Sequence, residues 1–178
     1  MRIIARCLFA ASLVLLVNLA AADDSPPAKE IPNPLIDTPG FRRDVDLSLT
    51  LRQSRRVTED EFLAMAKDPK TIILDARSAD RYAQMHIVGA KPLSFTDFTE
   101  DALARTIPSK DTRILIYCNN NIKNSPVAFA TKSIRASLNL STFPALYSYG
   151  YHNVYELGPV IDPATSKINF EGSLVGRK

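Results

Sequence analysis

A single cysteine stands where an apolar run stops. The stretch "ILIYCNNNIKNSPVAF", Ile114 to Phe129, places Cys118 directly after Tyr117 and follows it with Asn119, Asn120 and Asn121. Thiolate is the reactive form of cysteine, and it forms where the surroundings favour its charge. A turn between a strand and a helix supplies such surroundings. Its backbone N–H groups can curl into an anion-binding concavity, and the helix N-terminus adds partial positive charge. Asparagine suits such a curl, because it tolerates left-handed backbone and hydrogen-bonds locally without adding negative charge. Lys123 brings the loop's only formal charge. The chemistry this spacing offers is nucleophilic attack by a sulfur anion held by Asn119, Asn120, Asn121, Ile122, Lys123 and Asn124. The plain alternatives are a buried, inert thiol and an ordinary solvated asparagine turn.

The rest of the composition narrows the setting. The chain has 178 residues, which suits one domain. Residues 1–22, "MRIIARCLFAASLVLLVNLAAA", have the pattern of a cleaved secretory leader: Arg2 and Arg6, a short apolar run, then Ala20–Ala22. The expected location is therefore the periplasm or the exterior, with membrane contact only through an uncleaved leader. The whole chain carries 22 − 19 = +3, and without the two leader arginines 20 − 19 = +1. That balance gives no argument for nucleic acid. Without the leader Cys118 is the one cysteine left, so no internal disulfide is expected. His86 and His152 lie far from it in sequence, so no metal site and no cofactor is expected.

For a turn at Cys118 to work, flanking elements must hold it. Residues 23–55 read as a proline-rich arm or linker, with "VDLSLTLR" alternating as in a short strand. A domain is expected over 56–165 and a tail over 166–178. Thr58 and Glu61 form a capping-box pattern before "EDEFLAMA". "TIILD" and "RILIY" are short β-branched runs that read as buried strands. Ser78 is placed to start a short helix over "ADRYAQM", and a further helix is expected over "TDFTEDALARTI". Ser125–Pro126 reads as an N-cap with proline at N1, opening a helix over "SPVAFATKSIRASL". Another helix is expected from Thr142 to Gly150, then a last strand, "NVYEL". The fold class is α/β, a small mostly parallel sheet covered by helices on both faces. Ligands of such sheets bind at the carboxyl ends of strands, where Cys118 falls.

Four segments in order resemble the rhodanese-like (sulfurtransferase) family: Asp75-Ala76-Arg77 with Arg81-Tyr82; His86-Ile87-Val88-Gly89-Ala90; Cys118 after its strand; and "GYHNVYEL", Gly150 to Leu157. The resemblance implies a Cys118 persulfide, formed from thiosulfate or another sulfane donor and passed to a thiol. It places the backbone of Asn119 to Asn124 around the persulfide and Lys123 in the family's loop-cation position. It assigns Arg81 to the anionic donor, and Asp75, Arg77 and His86 to structural support. The chain departs from the pattern at Asn121, where a glycine is usual, at Lys123, where arginine is usual, and in lacking tryptophan. A rhodanese-related phosphatase would need a clamp at Asn124, where no arginine stands. A non-catalytic binding or persulfide-sensing module is the remaining alternative. Whether Cys118 is accessible and acidic separates these readings, since a buried, inert thiol would count against both the enzyme and the sensor.

Overall fold

The structure, a computed structural model, describes residues 31–176; the expected leader and the start of the arm lie outside them. From Ile36 onward the chain packs as one unit. Five parallel strands run in the order β1 (Arg56–Val57), β6 (Val154–Leu157), β5 (Ile114–Tyr117), β2 (Ile72–Asp75), β4 (Lys91–Pro92). The two apolar runs seen in the sequence, β2 and β5, are buried at every position and lie side by side in the sheet. A fully buried parallel strand has no solvent face, so its sequence does not alternate.

Successive residues of β5 feed two cores. Ile114 and Ile116 pack with Leu103 of α4 (Glu100–Thr106) and with Phe143 and Leu146 of α5 (Asn139–Ser148). Leu115 and Tyr117 face the other way, toward Phe62 of α2 (Glu59–Ala66), Phe129, Ile161 and Ile168. The capping box opens α2 as expected, with Thr58 N–H donating to Glu61 at 2.8 Å and Glu61 N–H to Thr58 Oγ1 at 3.3 Å. Among the described residues, no helix is long and apolar enough to cross a membrane.

The sequence expectations need correction in several places. The "VDLSLTLR" strand is instead part of a helix, α1 (Thr38–Gln53). Asp37 caps it by accepting Gly40 N–H at 2.9 Å, and Pro39 sits in its first turn. A Cβ at Gly40 would stand 2.1 Å from the Asp37 carboxylate, so a larger residue there would displace the capping side chain. The alternating leucines misled: Leu47 is half exposed while Ser48 is fully buried, as a helical face against α5 requires. Asp-x-Pro was the overlooked helix-start signal.

The helix expected from Ser125 does not form. The helical bond there would run from Lys132 N–H to Ala128 C=O. Both groups are taken by side chains: Asn120 accepts Lys132 N–H at 3.0 Å, and Arg77 donates to Ala128 C=O at 2.9 Å. Arg81 likewise donates to Val127 C=O. The segment makes a turn and a 3-10 turn at Ile134–Ala136. The next helix, α5, starts at Asn139, earlier than Thr142, because Leu138 C=O accepts both Thr142 N–H and its hydroxyl. It ends where expected, before Gly150 at φ +82°.

Residues 166–171 pack against the domain. Ile168 is buried, Glu59 accepts from Ser166 and from the Lys167 and Ile168 N–H groups, and β7 (Phe170–Glu171) pairs antiparallel with β3 (His86–Ile87).

Candidate functional site

Cys118 caps the carboxyl end of β5, with a 3-10 turn over Asn119–Asn121 behind it. Asn121 N–H donates to Cys118 C=O at 3.1 Å, and Ser137 Oγ lies 3.3 Å from Cys118 Sγ. The thiol is 1% exposed. What covers it is the segment that failed to become a helix.

Each asparagine of the triplet has a different task. Asn119 is nearly buried and lines a cleft beside the thiol. Asn120 pins the cover: its amide donates to Lys132 C=O at 2.9 Å and accepts Lys132 N–H at 3.0 Å. Asn121 is a buried hub. Its Oδ1 accepts from Cys118 N–H at 2.9 Å and from Asn139 at 3.2 Å, and its Nδ2 donates to Leu157 C=O at 2.7 Å. A glycine at this position could make none of these side-chain bonds.

The rest of the loop does not curl around the sulfur. Ile122 is buried and bridges to Ile161, with its N–H on Asn119 C=O. Lys123 N–H donates to Ile161 C=O at 2.9 Å, and the exposed Lys123 side chain does not line the cleft. Asn124 does adopt the left-handed backbone expected of asparagine, at φ +59°. Its amide donates to Asp162 at 2.6 Å. Ala164 N–H, the Asn124 amide and the Lys123 charge hold the Asp162 carboxyl below its ordinary pKa. The helix dipole expected behind the loop is also missing, because no helix follows.

Asp75 and Arg77 form the buried frame. Arg77 donates to both carboxylate oxygens of Asp75, at 2.9 and 2.6 Å, and to Met85 C=O at 2.8 Å, and lies 4.0 Å over the Phe129 ring. Tyr117 donates its hydroxyl to the same carboxylate. Burial opposes the Arg77 charge, but Asp75 outweighs it and keeps the guanidinium pKa raised. Burial, reinforced by the Asp75 charge, pushes the Tyr117 phenol well above its usual value. His86 lies elsewhere, stacked on Tyr82 at 3.6 Å, with its ring nitrogens on Tyr82 C=O and Glu171.

The cleft is about 370 Å³ and is bounded by Ser78, Arg81, Thr96, Asn119, Lys132 and Leu138 among others, with no carboxylate among its described lining residues. It suits an anion. Lys132, Ser137 and Asn139 were not singled out from the sequence. They sat inside a segment read as helix, where nothing distinguishes them, and only the tertiary path of the chain brings them to Cys118.

A parallel α/β sheet with a cysteine turn at the carboxyl end of a central strand is the architecture that the four sequence segments implied. The chain belongs to the rhodanese-like domain family, whose sequence profile matches residues 58–158. No curated protein matches it in sequence. Among solved structures it is similar to the BH2092 protein of Bacillus halodurans, at 21% identity and TM-score 0.49 over 75% of this chain and 88% of that one. It is also similar to the rhodanese-like domain of the Alr3790 protein of Anabaena sp., at 21% identity and TM-score 0.47 over 70% and 83%.

Proposed function

We propose that this domain carries sulfane sulfur on Cys118 and passes it to a thiol. The Cys118 thiolate attacks the outer sulfur of a donor such as thiosulfate; the donor's S–S bond breaks and its electrons leave with sulfite. An acceptor thiolate then takes the outer sulfur and Cys118 leaves as thiolate. The observation that carries this reading is the placing of Cys118 at the carboxyl end of β5, with the Ser137 hydroxyl 3.3 Å from its sulfur. A charge on that sulfur would be able to accept from the Ser137 hydroxyl. Because the thiol is buried, the cover over it must open for a donor to reach it. With a leader at its start, the protein would work in an exported compartment.

The same burial favours a second reading, a binding module that holds an anion in the cleft without chemistry. Intact-mass spectrometry before and after thiosulfate, and after a low-molecular-weight persulfide, separates the two. Sulfur carriage predicts a gain of about one sulfur atom, absent in Cys118→Ser. No gain with either donor leaves the binding module.

A further inference from the structure

The two halves of sulfur transfer make opposite demands on Cys118. When the thiolate attacks a donor, negative charge leaves Sγ. When an acceptor takes the outer sulfur away, the electron pair of the S–S bond returns to Sγ, and charge must be received there. Cys118 is 1% exposed, so a donor on the protein matters more there than at a wet surface. The loop that the sequence pointed to has committed three of its N–H groups elsewhere. Asn121 N–H donates to Cys118 C=O at 3.1 Å, Ile122 N–H to Asn119 C=O at 3.4 Å and Lys123 N–H to Ile161 C=O at 2.9 Å. The side chain that reaches the sulfur is Ser137, with Oγ 3.3 Å from Sγ and no other hydrogen bond to this hydroxyl among the described residues. A hydroxyl accepts from a thiol and turns to donate to a thiolate.

Ser137 and the sulfur are mounted on one frame. Residues Thr131 to Ala136 are exposed, whereas Ser137 is half-buried and Asn139, two residues on, is 1% exposed. Ser137 C=O accepts Leu140 N–H at 2.9 Å in the first turn of α5, and Phe143 and Leu146 fix that helix in the core with Ile116 of β5. Asn139 donates to Asn121 Oδ1 at 3.2 Å, and the same oxygen accepts Cys118 N–H at 2.9 Å. The start of α5 and the backbone of Cys118 are thus tied through one amide. A donor held in this way is in place before the charge arrives, which is what makes it effective in a transition state.

We propose that Ser137 is a catalytic residue for the discharge of the persulfide, its hydroxyl donating to Sγ as Cys118 leaves. The acceptor thiolate forms a bond to the outer sulfur, the bond from that sulfur to Sγ breaks, and its electron pair stays on Sγ. The acceptor departs as a persulfide anion and Cys118 remains as a thiolate. Ser137 shares its proton without losing it. Loading gains nothing from this bond, because the bond is strongest in the thiolate that loading consumes. The inference rests on reading Cys118 as the sulfur carrier, and it assigns the discharge half-reaction to a residue outside the cysteine turn.

The test times the two half-reactions separately by intact mass, at alkaline pH, where thiols are ionised. Loading is the gain of one sulfur from thiosulfate. Discharge is its loss when the loaded protein, freed of donor, is mixed with dithiothreitol. Ser137→Ala is expected to slow discharge by about threefold to tenfold, and to load as fast as the wild type or faster, since a less stabilised thiolate is the better nucleophile and the poorer leaving group. Ser137→Thr keeps the hydroxyl and is expected to discharge within about twofold of the wild type. Equal discharge rates in the wild type and Ser137→Ala overturn the role of Ser137 and leave the persulfide standing. Slowing of both half-reactions alike also overturns it, because that is the mark of a purely structural residue. A wild type that gains no sulfur from thiosulfate or from a low-molecular-weight persulfide overturns sulfur carriage itself, and this step with it.

Discussion

Arg77 is 3% exposed, and its guanidinium makes hydrogen bonds to Asp75, Ala128 and Met85. It joins β2 to the start of the cover and to the chain before β3. Its position near Cys118 suggests chemistry, but its N–H groups are taken up by structure. Removing it would strand Asp75, which is fully buried and would keep only Tyr117 as a side-chain donor. Arg77→Met is therefore expected to lower stability by about 3–5 kcal/mol, read as the shift of the urea midpoint. A loss under about 1 kcal/mol would mean that the buried Asp75 does not depend on Arg77 for its partners. Lysine would not restore the wild type, since a point charge cannot span two carboxylate oxygens and two carbonyls.

Among the elements, α1 shows how a tertiary contact outweighs local alternation. Its last turn carries Arg52, which donates to both oxygens of the buried Glu156 on β6, at 2.5 and 2.6 Å. Arg56 reaches the same carboxylate at 3.8 Å. The helix lies against α5, which in turn packs on the face of β5 that holds Ile116. Arg52→Ala should cost about 2–4 kcal/mol in urea unfolding, because it leaves a carboxylate in a poorly solvated place with only the more distant Arg56. The double variant Arg52→Met with Glu156→Leu should recover much of that loss. If the single variant were neutral, α1 would not depend on this pair for its docking.

For the molecule as a whole, the chain closes on itself through its C-terminal segment. Glu59 in the first turn of α2 accepts from the Ser166 hydroxyl at 2.6 Å and from Lys167 N–H at 2.5 Å. The Ser166 bond first, and the two backbone N–H groups after it, hold the Glu59 carboxyl below its ordinary pKa against the opposing effect of burial. A depressed carboxyl contributes stability that is full above the unfolded pKa and is lost as pH falls through the folded one. The melting temperature of the wild type should therefore fall more steeply than that of Glu59→Gln between about pH 5 and about pH 3, with the two converging at the acid end. Parallel curves would remove Glu59 from the acid response.

Strands β2 and β5, the capping box of α2 and the position of Cys118 at a strand end were legible in the sequence. They depend on short-range rules, namely apolar runs, a cap three residues from its partner, and a chain that must turn where a buried strand stops. The course of residues 125–138 was not legible. Ser125–Pro126 is a sound helix start by local rules, but the backbone groups that would extend it are taken by Arg77 and Asn120, 51 and 12 residues away. The same long-range bonds lay this segment beside the buried Cys118 and put Lys132, not Lys123, at the cleft. The sequence determined that a cysteine stands where a buried strand ends. Tertiary structure alone decided what stands in front of it, because hydrogen bonds between distant residues leave no periodic trace in the chain.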